Sequence, residues 1–523
     1  MQAPHYPIIY VRGYAMTVAE RDDTTADPFC GFNLGSTVYR AAVDRQRPPN
    51  KFIFESPLLR LMSEFGYQEI YEDGYDIMDP NWSPKGDQPG IPARSVVIHR
   101  YYDGGSRLLG DGKAQPIEAY VKALNALILR VRDLVVAREG IAPADFKCYL
   151  VAHSMGGLVC RGLLQNPKLG SAEARKAVAK LFTYGTPHNG IEVGGINIPS
   201  WLSASEMNTF NRERIAEFLN MKEVLKRHGR VDYLPASALP IENVFCMVGT
   251  NRNDYEAAAG LSRAFVGHGS DGLVKIANAS LWGLDAAGQV TQSAATGYAY
   301  RAHSGYFGLV NSEEAYQNLV RFLFGDVRVD IWLQVDEVGL PPALKGQKVE
   351  ALYQFELKAA PRGKRWQLTR RVAEEDSPAC RTHAELTRPA QKGARLIYLS
   401  TVFLACSARV NPQDPSLAYH MDVGVRVPDY EVDNRFWPNG HFEGAYLFRD
   451  QLVVKLVPPA TPDGAWQVAH GWHSQGAGVA PGNDALTQQT MAQSRFEVRA
   501  PFASATMAPG IRGQVLLSVS SWG

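Results

Sequence analysis

Cysteine is scarce in this chain of 523 residues: six, at positions 30, 148, 160, 246, 380 and 406, with no CxxC pair and no dense spacing. That excludes a small disulfide-stapled scaffold and a zinc ribbon. Cys148, Cys160 and Cys246 sit in apolar runs and are expected to be small core residues, whereas Cys380 and Cys406 could pair in an oxidising compartment. An excess of charge of one sign is missing too: 54 Lys and Arg stand against 53 Asp and Glu, a formal net of +1. Without a basic excess, nucleic acid is not an expected partner. No run approaches the roughly 20 apolar residues that span a bilayer. The best, Leu396 to Cys406, is interrupted by Ser400 and Thr401 and reads as a buried strand. A basic n-region followed by an apolar h-region is also lacking, since Met1-Gln2-Ala3-Pro4 runs straight into Pro7-Ile8-Ile9-Tyr10-Val11. The expectation is a chain with no transmembrane segment, cytoplasmic as written, with export by a signal-independent route or a removed signal as the alternatives.

What is present is an ordinary soluble composition, 45% hydrophobic and 20% charged, which argues against general disorder. The length allows two or three domains, or one enlarged domain with an appendage. Up to residue 325, short apolar runs alternate with helical patterns. Ile8–Val11, Val96–Ile98, Phe146–Ala152, Lys180–Tyr184 and Asn243–Val248 read as buried strands. From Tyr120, apolar residues recur at 124, 127, 128, 131, 134 and 135, one helix face ended by Gly140. A last helix is capped by Asn311 or Ser312, carries Glu313 and Glu314 in its first turn and buries Ala315, Leu319 and Phe322. Strand and helix in alternation predict an α/β domain with a mostly parallel sheet. After residue 325 the period changes to two: Val327–Val335, Val349–Leu357, Leu396–Val410, Met421–Val427, Ala445–Leu456, Arg495–Val498 and Gln514–Val519 alternate between Pro/Gly-rich turns. The two expected domains are therefore residues 1–325, α/β, and 326–523, an all-β sandwich of about eight strands.

The most informative stretch is Phe146 to Val159, in which an apolar strand meets a tight turn at Ser154 and a helix begins at once. Ala152 and Gly156, two residues to either side, leave room for strand and helix to approach. This is a setting for a nucleophile whose Oγ projects above the sheet, with a helix N-terminus aimed at developing negative charge; the bland alternative is a Ser N-cap at a plain turn. An acyl-transfer oxyanion needs two backbone N–H groups. One would be the amide of Met155, the residue after the nucleophile. The other would come from the loop after the first strand, Val11-Arg12-Gly13-Tyr14-Ala15, with Tyr14 N–H as the candidate.

Taken together, Pro7–Tyr14, Val151-Ala152-His153-Ser154-Met155-Gly156-Gly157, Gly185-Thr186-Pro187-His188-Asn189-Gly190, Ser270-Asp271-Gly272-Leu273-Val274 and His303-Ser304-Gly305 resemble, in order and context, the bacterial true lipases of the α/β-hydrolase superfamily. The resemblance spans about residues 5–325 and none of the β-rich tail. The chain departs from it with Arg12-Gly13 where these lipases usually have His-Gly, with Ala152 in place of the commoner Gly, and with a long segment at about 17–93. The resemblance implies the chain order nucleophile, acid, base: Ser154, Asp271 and His303, with Asp254 as the rival acid. It also implies an α/β-hydrolase sheet with a helical lid at about 190–240. There Ile191, Ile198, Trp201, Met207, Phe210 and Phe218 interleave with polar residues; an ordinary packed helical insert is the alternative. Apolar residues at 54, 58, 59, 61, 62 and 65 suggest a second cap element or a core helix. His153 is expected to point away from the nucleophile, His188 to line the cleft or to pack, and His268 lies near Asp271 but precedes it. No HExxH, EF-hand loop or Cys/His cluster occurs, and no ligand set of the metal-binding lipases maps onto the chain, so neither a catalytic metal nor a cofactor is expected.

The expected function is a serine carboxylic-ester hydrolase of lipase type, acting through an acyl-enzyme on lipid-like esters. Its expected partners are the ester or lipid substrate and, through the lid, a transient contact with a lipid interface. The alternatives are a phospholipase, which would suit an exported effector, an acyltransferase, and an inactive hydrolase-fold binding protein whose β domain does the work.

Overall fold

Runs that are apolar throughout become the inner strands of one sheet, because both of its faces are covered. In a computed structural model of the chain, Ile8–Val11 (β1), Ser95–Ile98 (β3), Cys148–His153 (β4) and Val244–Gly249 (β6) are buried at every residue. With Gln68–Glu69 (β2), Val178–Tyr184 (β5) and Ala295–Ala299 (β7) they form a seven-stranded sheet in the order β7-β6-β5-β4-β1-β3-β2. From β2 across to β6 the strands run parallel. The structure describes residues 4–13, 37–40, 50–53, 57–70, 77–84, 88–101, 103–107, 111–193, 196–197, 210–254, 269–305, 308–388, 393–409, 411–432, 440–459, 461, 464–476, 487–489 and 495–523.

The sheet is that of an α/β-hydrolase, and its order creates the place for a site. The chain fills one side of β1 with β2 and β3, then crosses to β4 on the other. In open α/β sheets a crevice forms where the order reverses, beyond the strands' carboxyl ends. Helix Ile117–Glu139 (α2) begins a turn earlier than the apolar periodicity alone indicates, just after Pro116 in extended conformation. It ends on Gly140 at φ 66°, whose N–H donates to Val136 O. Met155–Gln165 (α3) follows the nucleophile candidate directly, and its residues are buried through Leu164. Gly162 lets α2 lie against α3: a Cβ there would meet Val121 Cγ2 at 2.8 Å.

The described part of the expected lid is packed. Arg212–Phe218 (α4) is capped by Asn211, whose Oδ1 accepts from Glu213 and Arg214, and Lys222–His228 (α5) follows. Ile215, Phe218, Leu219 and Met221 lie in the same core as α2 and α3. Trp201 and Met207 fall outside the described residues. Arg161 of α3, wholly buried, ties the insert down: its guanidinium donates to the carbonyls of His188 (2.9 Å), Val231 (2.7 Å) and Tyr233 (2.8 Å), and its Nε to Gln165. Burial pushes its pKa down to about 9, opposed by the nearby Asp232 carboxylate. The second insert contains a helix, Pro57–Phe65 (α1), with Leu58 and Leu61 buried and Leu59 and Met62 exposed; Phe54 lies outside the described residues.

The chain divides into two units, residues 4–296 with 300–319, and residues 297–299 with 320–523. The division falls within the helix Glu313–Phe324, whose Ser312 Oγ accepts from Ala315 N. The second unit holds an antiparallel sheet of four strands and one of nine, whose inner faces share a core running from Val327 and Phe355 to Val454 and Val519, a sandwich-like arrangement. Most of its long strands overlap the alternating runs of the sequence, but the Leu396–Val410 run is a strand only to Leu404, no run marks Trp466–Trp472, and the two sheets hold thirteen strands where about eight are expected. The short ones, such as Thr369–Arg371, Asp429–Val432 and Thr487–Gln489, carry too little pattern to be read. Cys380 and Cys406 are free rather than joined. Cys380 is fixed in a strand opposite Gln354, and Cys406 in a turn whose amide donates to Asp326 Oδ2. Cys148 and Cys246 are core residues as expected, their thiols pushed up to about 12 by burial and thereby inert.

Candidate active site

Ser154 sits where β4 ends, with φ 52° and ψ −126°, a conformation that costs a non-glycine residue about 1–3 kcal/mol. The strain is held from both sides: Ser154 N donates to Tyr184 O of β5 at 2.9 Å, and Gly157 N donates to Ser154 O at 3.1 Å. The small residues around it answer to the neighbouring strands more than to the turn itself. A Cβ on Gly156 would lie 2.1 Å from Val11 O at the end of β1, and one on Gly157 2.2 Å from Thr186 Oγ1 after β5. Helix α3 can therefore start flush against the sheet, with the Met155 amide at its N-terminus beside the serine.

The site's other two side chains arrive from loops far along the chain. His303 Nε2 lies 2.9 Å from Ser154 Oγ, and His303 Nδ1 lies 2.8 Å from Asp271 Oδ2. All three residues are buried. Because a carboxylate only accepts, Nδ1 carries the proton toward Asp271 and Nε2 is left to accept from the serine hydroxyl. The second carboxylate oxygen of Asp271 accepts from the backbone N–H groups of Leu273 (3.0 Å) and Val274 (2.8 Å), which fixes the carboxylate plane. Asp271 O accepts from His303 N at 2.9 Å, so acid and base are also joined through the main chain. The rival Asp254 is turned elsewhere, its Oδ2 accepting from Asn251 Nδ2.

Three glycines make room for this group. Gly13 follows β1, Gly185 (φ 52°) follows β5 and Gly249 ends β6. A Cβ on Gly185 would lie 3.0 Å from Asp271 Oδ2 and 3.1 Å from His303 Nδ1, and one on Gly249 2.8 Å from Asp271 Cβ. Gly249 carries no sequence signal beyond ending an apolar run, and Gly185 none beyond opening the Gly185–Gly190 segment of the resemblance. At Gly13 a Cβ would lie 2.6 Å from Ser154 Cβ. Gly13→Ala is therefore expected to displace the β1 turn and cut kcat by about tenfold or more. Steady-state kinetics on a soluble aryl ester will test this, and an unchanged kcat would show that the turn yields freely.

Tyr14 lies outside the described residues; Arg12 and Gly13, immediately before it, are described. Tyr101, which sequence reasoning passed over, holds that turn. Its hydroxyl donates to Arg12 O at 2.5 Å, while its ring packs 4.5 Å from that of Tyr120 and 5.1 Å from that of His99. His99 is kept neutral by burial, its pKa lowered to about 4. His188 packs rather than lining a cleft: it is fully buried, 3.3 Å from Thr183 Oγ1, and burial with the Arg161 charge holds it well below its ordinary pKa. His268 lies outside the described residues. Among the described residues no group of three or more His, Cys, Asp or Glu is disposed to hold a metal ion, and no helix is long and apolar enough to cross a membrane. The arrangement supports a serine-hydrolase mechanism.

No family model matches the chain, and no curated protein does. Among solved structures, the chain is similar to the Bacillus licheniformis lipase BlEst2 in mature form, with 12% identity over 62% of this chain and 94% of that one and a TM-score of 0.31. It is similar to the same lipase in propeptide form, with 11% identity over 89% and 98% and a TM-score of 0.29. It is also similar to the product of lin2722 from Listeria innocua, with 13% identity over 61% and 94% and a TM-score of 0.26.

Proposed function

We propose that this chain is a serine carboxylic-ester hydrolase of lipase type. The observation that carries the proposal is the unbroken relay from Ser154 Oγ through the His303 ring to the doubly held Asp271 carboxylate. Ser154 Oγ attacks the ester carbonyl carbon as His303 Nε2 takes the hydroxyl proton, and Asp271 stabilises the imidazolium. The oxyanion is received by the N–H of Met155 and, in this reading, that of Tyr14. Collapse breaks the ester C–O bond, His303 returns its proton to the departing alcohol, and an acyl-enzyme remains. Water then attacks the acyl carbon, with His303 again accepting a proton, and the carboxylic acid leaves as Ser154 is restored. The preference for lipid-like esters rests on the apolar content of residues 190–240, an insert suited to covering an acyl chain.

The test is a series of aryl esters from acetate to palmitate, each assayed with and without a detergent or lipid interface. The reading expects kcat/KM to rise with acyl length and turnover to increase at the interface. A preference for acetate with no interfacial effect would remove the lipid component and leave a plain esterase. Faster release of acid from phosphatidylcholine vesicles than from any simple ester would move the assignment to a phospholipase, and transfer to an added alcohol in preference to water would move it to an acyltransferase.

A further inference from the structure

His153, expected to point away from the nucleophile, reaches to the main chain of the base. Its Nε2 lies 2.9 Å from the main-chain carbonyl oxygen of His303, and the two imidazole rings stand 5.0 Å apart, tilted by 39°. The residue is buried at the end of β4, so its backbone is fixed by the pairing of Ala152 and His153 with Thr183 and Tyr184 of β5. On the far side of the ring the β1 turn closes in: the position a Cβ would take on Gly13 is 3.1 Å from His153 Nδ1. The ring is wedged between the turn after β1 and the loop that carries the base.

We propose that His153 is a positioning residue that sets the separation of nucleophile and base, by donating from Nε2 to the His303 carbonyl while the next residue presents Oγ to the His303 ring. The inference rests on the serine-hydrolase reading above. His303 is held at its N–H by Asp271 O and at Nδ1 by Asp271 Oδ2, so both of those restraints come from the acid's loop. Neither refers to the strand that bears the serine. The bond from His153 does, and with the bond to Ser154 Oγ it joins two consecutive residues, the last of β4 and the one after it, to the backbone and the side chain of one histidine. An error of about 1 Å in such a separation is enough to cost around a hundredfold in rate.

The chemistry of the ring is consistent with this role. A carbonyl only accepts, so the bonded nitrogen must carry the proton. Burial, then the neighbouring His303 and then Arg12 all hold His153 well below the ordinary histidine pKa, and a neutral ring has a single N–H. That proton sits on Nε2, and Nδ1 beside Gly13 is bare.

Side-chain reach makes this testable, because a Gln amide nitrogen extends about as far from Cβ as histidine Nε2, whereas Asn reaches only as far as Nδ1. With a soluble aryl ester, His153→Gln should keep kcat within about threefold of the parent, while His153→Asn and His153→Leu should lose about tenfold or more with KM within about twofold. Equal kcat in the Gln and Asn variants, at either level, would overturn the assignment. Should the Asn or Leu variant not fold, the parent protein decides. In nitrogen-15 spectra of labelled histidine, His153 should be neutral with its proton on Nε2 from pH 6 to 8, and a proton on Nδ1 would overturn the inference. The spectrum does not depend on catalysis, so it separates failure of this inference from failure of the hydrolase reading, which Ser154→Ala tests.

Discussion

Ser154→Ala should reduce turnover of an aryl ester by about a millionfold, to the residual level that positioning and oxyanion donors provide without a nucleophile. The loss is chemical, since the change removes the hydroxyl that stands 2.9 Å from His303 Nε2. The fold should survive the change. The main-chain bonds that hold residue 154, to Tyr184 O and from Gly157 N, do not involve the hydroxyl, and alanine carries the same positive φ at a similar cost. A thermal melt within a few degrees of the parent, together with lost activity and lost labelling by a fluorophosphonate, is the expected result. Undiminished activity would refute the assignment of the nucleophile, and labelling that persists would place the reactive serine elsewhere.

Asp271→Asn is the second large effect, at about ten-thousandfold in kcat. The side chain keeps its shape, and its remaining oxygen can still accept from Leu273 and Val274. The amide nitrogen is then turned toward His303 Nδ1, where two donors cannot face each other. The ring must take its proton on Nε2, which points a donor at Ser154 Oγ and leaves the hydroxyl without a base. Stopped-flow or extended-time assays near pH 8, with the melt as a control, measure the effect. A loss of less than tenfold would dismiss Asp271 as the acid.

The two kinds of information divide along physical lines. Elements whose signal is periodic were readable in advance. The apolar runs read at 8–11, 96–98, 146–152 and 243–248 fall on inner strands, offset by one or two residues at their ends, and are continuous because both faces of a parallel sheet are covered. The alternation after residue 325 reflects strands with one covered face. The edge strand Ala295–Ala299 and the short strands of the second unit were missed, since a few residues of mixed polarity carry no period. The lid is a different case: its described helices are amphipathic as expected, but whether such a face is buried depends on what lies opposite, and here Arg161, α2 and α3 do.

The sequence alone determined that a serine stands at a strand-to-helix turn, because an apolar run that ends at Ser154 and is followed at once by a helical run is a pattern written in adjacent residues. Which carboxylate and which imidazole stand beside it was decided only by the sheet, whose strand order brings loops of distant sequence to one rim and leaves Asp254 out. The role of Gly13, Gly185 and Gly249 was likewise invisible, since what a missing Cβ makes room for belongs to other segments. The same holds for the bond from His153 to the carbonyl of His303: it is a contact between residues about 150 positions apart, and no local pattern encodes such a distance.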